Sequence, residues 1–102
     1  MLECKEVKEY LDSIGLPYDE KESGGMKVLQ MQYNQDLCAI FPPVDDCPRY
    51  SVILAYNGAV QSGTTMNLDQ LKDWIYKVWI LNSEDYVWII VLVSRRLKAR
   101  NG

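Results

Sequence analysis

The chain has 102 residues, 48% of them hydrophobic and 25% charged, the balance of one ordinary globular domain rather than of a disordered chain. With no histidine, it cannot build a Ser-His-Asp or Cys-His nucleophile pair or a histidine general base. The net charge of −3 divides unevenly: seven Lys/Arg against fourteen Asp/Glu make residues 1–94 acidic, and the remaining four cations fall in the last eight residues. An acidic body disfavours broad contact with phosphate backbones.

Leu2–Ile14 is predicted as the first helix. Val7, Leu11 and Ile14 recur at i, i+4 and i+7 with Tyr10 beside them, and Glu and Lys fill the other side. Gly15 suits the left-handed position after the last turn, and Pro17 forbids continuation. Tyr18–Gly25 is acidic and ends in two glycines, so a solvated loop is expected. Lys27–Tyr33 alternates, with Leu29, Met31 and Tyr33 on one side, as a half-buried strand does. Leu37–Phe41 is a second apolar run, stopped by Pro42-Pro43, and Val44–Arg49 reads as a loop.

Tyr50–Tyr56 alternates again and ends in Asn57-Gly58, the pair best suited to a type I′ hairpin turn. Ala59–Thr65 should therefore return antiparallel, as a polar edge strand. Asn67 can cap a second helix, with Gln70 at the reciprocal position three residues on. Leu68, Leu71, Ile75 and Val78 form its stripe. Trp74 and Trp79, five residues apart, fall about 140° apart around an α-helix, which places one of them at a rim. Val87–Val93 is β-branched, aromatic or Leu throughout and reads as a strand covered on both faces.

These elements make an α+β fold of order α-β-β-β-β-α-β. Two helices pack on a mostly antiparallel sheet with the last strand central, in one domain over residues 1–94 followed by a basic tail over 95–102. Met1–Asp12 is too charged for a secretion signal, and Tyr86–Val93 is far short of the roughly 20 residues that cross a bilayer, so a cytoplasmic protein is expected. The odd set Cys4, Cys38 and Cys47, with no C-x-x-C pair, fits free thiols in a reducing compartment.

The candidates for chemistry are sparse. Asp45 and Asp46 are adjacent carboxylates that could hold a divalent metal, and Arg49 is near enough in sequence to activate Cys47. Asp19-Glu20-Lys21 matches half of a metal-dependent nuclease core. Neither motif is specific, and no glycine-rich phosphate loop accompanies them. Surface features are more telling. Tyr33, Tyr50 and Tyr56 come from neighbouring strands and, with Trp79, form a candidate interaction surface. Arg95, Arg96, Lys98 and Arg100 form a candidate basic contact.

The opening helix that ends in Gly15-Leu16-Pro17-Tyr18, a short acidic link, a run of strands, then a helix and a strand resembles, in element order, bacterial secretion-chaperone-like domains. The resemblance implies a non-enzymatic domain that binds protein partners, often as a dimer; the final strand and helix of that pattern are missing. The expectation is a protein-interaction module without cofactor or metal: a chaperone-like adaptor, or a small inhibitor of a larger protein such as phage or mobile elements carry. Its partner would be another protein or a second copy of the chain. Two alternatives are a nucleic-acid-associated regulator that uses the tail and a metal-dependent enzyme built on Asp45 and Asp46.

Overall fold

The computed structural model describes residues 1–33, 36–44, 47–56 and 59–81. The side chains of Tyr33, Asp36, Tyr56 and residues 59–62 also fall outside the description. The elements run α1 (Lys5–Ile14), β1 (Asp19–Ser23), β2 (Met26–Tyr33), β3 (Asp36–Phe41), β4 (Tyr50–Tyr56), β5 (Ala59–Met66) and α2 (Leu68–Ile75), which continues as a π-helical turn over Tyr76–Ile80. The five strands form one antiparallel meander in which each pairs with the next in sequence. The protein is an α+β domain.

Helix α1 starts three residues later than its apolar pattern suggests. Leu2 forms a parallel bridge with Met26, and its carbonyl accepts from the Lys27 N–H at 2.8 Å, so the sheet takes the backbone that a first helical turn would use. The other end follows the sequence signal. Gly15 adopts φ 72°, and the Leu16 N–H reaches back to the Leu11 carbonyl at 3.0 Å. Helix α2 opens on a full capping box: the Gln70 N–H donates to Asn67 Oδ1 at 2.8 Å, and the Asn67 N–H donates to Gln70 Oε1 at 3.0 Å.

The expected loop at Tyr18–Gly25 is instead a hairpin. Asp19–Ser23 pairs with Met26–Gln30 around Gly24 and Gly25, both at positive φ. Every β1 residue is exposed, so no apolar alternation marks it as a strand. The expected strand at Val87–Val93 lies outside the described residues. The described strands pair consecutively and leave no gap between neighbours.

Register sorts the side chains. Leu29 faces Ile40, Met31 faces Cys38, Ile40 faces Val52 and Cys38 faces Leu54, so these six residues share one side of the sheet. Both helices lie on that side: Cys4 just ahead of α1, Val7 and Leu11 from α1, Leu71, Trp74 and Ile75 from α2, and Val78 beyond it join the same buried cluster. Each fully buried Leu or Ile stabilises this core by about 1.5–3 kcal/mol. The Lys72 ammonium stands 5.6 Å from the Tyr10 ring centroid and ties the two helices together. Glu20, on the helix side of β1, meets Lys8 of α1 at 2.9 Å.

Candidate functional site

Successive positions of a strand point to opposite faces, and the described helices pack on only one face of this sheet. Met26 and Val28 of β2, Ala39 and Phe41 of β3, and Ile53 of β4 occupy the other face, on which no described helix packs; Val28 is buried there among its neighbours and the other four are half-buried. Its centre is apolar and its margin polar, with Lys21, Gln30, Ser51 and Thr65 around it. Near one corner a cavity of about 280 Å³ opens between Met26, Phe41, Pro42, Val44 and Ile53.

Arg49 borders this cavity. Its Nε donates to Thr65 Oγ1 at 2.9 Å and its Nη2 to the Thr65 carbonyl at 2.7 Å, so the guanidinium is committed to β5. Cys47 is exposed and unbridged, while Asp45 and Asp46 lie outside the described residues. In the Asp19-Glu20-Lys21 stretch, β1 alternation sends Asp19 and Lys21 to the open face and Glu20 to the helix side, where Lys8 holds it. Three donors of that motif therefore do not converge. Among the described residues, no group of three Cys, Asp or Glu side chains is placed to hold a metal ion.

The proposed aromatic surface divides. Tyr50 is 7% exposed, sits in the helix-covered core, and lines no surface; burial pushes its phenol pKa up. Tyr33 ends β2 opposite Asp36, and Tyr56 ends β4 opposite Ala59, but their side chains fall outside the description. Trp79 is half-buried. Its indole Nε1 donates to the Gln32 carbonyl at 2.9 Å, at the end of β2 that β1 does not reach, since Asp19 pairs with Gln30. Arg95, Arg96, Lys98 and Arg100 all lie outside the described residues.

The missed feature is a second, smaller cavity of about 180 Å³ beside Trp79. Leu16, Pro17, Tyr18 and Asp19 line it from the chain that links α1 to β1, and Gln30 and Gln32 line it from β2. The Tyr18 hydroxyl donates to Asp12 at 3.1 Å, which fixes the ring against the end of α1. Reading Tyr18–Gly25 as a loop concealed this site, because only the β1 pairing carries Tyr18 and Asp19 alongside Gln30.

The thiols separate by burial. Cys4 and Cys38 are buried and Cys47 is exposed. Burial, with Glu20 adding to it, pushes the Cys4 pKa up to about 12, and burial pushes Cys38 upward as well. Both stay protonated and inert as small core residues. No helix among the described residues is long and apolar enough to cross a membrane. The chain matches no family model, no curated protein and no solved structure.

Proposed function

We propose that the protein is a non-enzymatic, protein-binding module and that it binds through the open sheet face. The observation that carries this reading is the placement of both helices on one side of the sheet. The opposite side keeps Phe41 and Ile53 half-buried and Val44 47% exposed around a cavity large enough for a partner's apolar side chain, and Leu37 is 36% exposed at the far end of β3. Apolar centres with polar rims mark protein interfaces. The acidic body favours a polypeptide over a nucleic acid as the partner.

Light scattering on the size-excluded chain, with anilinonaphthalene sulfonate fluorescence beside it, tests the reading. Wild type should either exceed the 11.8 kDa of a single chain or bind the dye, and Ile53→Glu should abolish both without lowering the unfolding midpoint. A strictly monomeric wild type that binds no dye overturns the proposal.

A further inference from the structure

We propose that the cavity beside Trp79 receives the cationic head of a lysine or arginine side chain presented by a partner polypeptide. Its size decides the class of ligand. At about 180 Å³ it falls below the ~300 Å³ where small-molecule sites begin, and it suits one side chain. Its lining decides the chemistry. Asp19 contributes a carboxylate, Gln30 and Gln32 carry amide groups, Tyr18 and Trp79 supply aromatic walls, and no basic residue lines it among the described residues.

An anion would meet the Asp19 charge. A purely apolar side chain would strip water from the exposed Asp19 carboxylate without replacing its hydrogen bonds. A long side chain with a cationic tip answers both halves of the lining: its methylene stem lies along Leu16 and Pro17, and its head meets Asp19 and the rings. The described ion pairs involve Lys8, Lys27 and Lys77 with Glu20, Glu3 and Asp73, and none of them engages Asp19. Lys8 is held by Glu20 on the other side of β1, and Lys21, which shares the Asp19 side of that strand, is not among the described residues lining the cavity and forms no described ion pair with Asp19. Charge complementarity extends outward, because residues 1–94 are acidic overall. The cavity shares its glutamines with the rim of the open face but not the apolar centre, so the two sites can be tested apart.

The test is a titration of the full chain, followed through the Trp79 indole N–H resonance. The probe is an acetylated, amidated Gly/Ser peptide with a single central arginine; its twin carries neutral citrulline there. The arginine peptide should shift the resonance saturably, the citrulline peptide should bind at least about tenfold more weakly, and Asp19→Asn should cost the arginine peptide a similar factor. Ile53→Glu should leave this binding unchanged, which separates the cavity from the open face. No saturable shift, or equal binding of both peptides, overturns the proposal. A parallel titration uses a chain with Arg95, Arg96, Lys98 and Arg100 each changed to Gln. Binding seen only there overturns a partner as the occupant and assigns the cavity to the chain's own tail.

Discussion

The indole of Trp79 meets that of Trp74 edge to face, with centroids 5.4 Å apart and planes at 81°. On an α-helix these positions would diverge by about 140°. They meet because the helix widens: Tyr76–Ile80 is a π turn, and the Leu81 N–H donates to the Tyr76 carbonyl five residues back, at 3.0 Å. A five-residue repeat brings Trp79 round towards Trp74 and swings its N–H onto the Gln32 carbonyl. Replacing Trp79 by Phe keeps an aromatic ring and deletes the donor. The expected loss is about 1 kcal/mol, seen as a lower urea midpoint at unchanged slope. An unmoved midpoint would show that the Gln32 bond adds no stability.

The capping box at α2 should behave as one unit. Asn67→Ala should cost about 1 kcal/mol. Gln70→Ala should cost less, and the double variant should lose less than the sum, because each side chain's bond fixes the geometry of the other. A double-mutant cycle by chemical unfolding measures this coupling, and strict additivity would contradict it.

Gly15 isolates a backbone effect. An added Cβ would meet nothing within 4 Å, so Gly15→Ala is penalised only by its φ of 72°. The expected cost is about 1–2 kcal/mol, and Gly15→Asn should recover part of it because Asn tolerates the left-handed region. Equal stabilities of all three chains in thermal unfolding would exclude a left-handed Gly15.

The buried thiols make stability depend on alkaline pH. A folded-state pKa pushed up to about 12 for Cys4, against the ordinary 9.0 of an exposed thiol, means that the folded chain holds its proton more tightly. That contribution is complete below pH 9 and is lost as pH rises towards 12, at about 1.4 kcal/mol per pH unit for each such thiol. Cys38 acts in the same direction. Unfolding free energies measured from pH 8 to 11 should therefore fall less steeply in Cys4→Ala than in wild type. At pH 8 one thiol per chain, Cys47, should react with a disulfide reagent before unfolding, and three after it. Rapid reaction of a second thiol in the native chain would contradict the burial of Cys4 and Cys38.

The parts of the fold that were legible in the sequence are those where one local signal acts alone. Gly15-Leu16-Pro17 ends α1, Asn67 and Gln70 start α2, and Leu29, Met31, Val52 and Leu54 mark their strands by period two. Strand β1 was not legible, because a strand with both faces in water has no reason to alternate. Leu2 misled because an apolar residue ahead of a helix satisfies a helical stripe as readily as a bridge to Met26. Tyr50 could not be separated from surface tyrosines, since alternation tells which residues share a face but not which face the helices take. The same ambiguity concealed Phe41 and Ile53, whose importance follows only from the helices' choice of side. The Trp79 cavity depends on a hairpin and a π turn, and neither has an apolar signature.

The core is closed by the two ends of the described chain, and this orders events at the ribosome. The five strands can pair one after another as they emerge, since each partner is the next in sequence. Their Leu29, Ile40 and Val52 side would stay wet beneath α1 alone until Leu71, Ile75 and Val78 have been synthesised. A nascent chain stopped before residue 71 therefore offers an unroofed apolar sheet to whatever is nearby, and completion of α2 is the step that withdraws it.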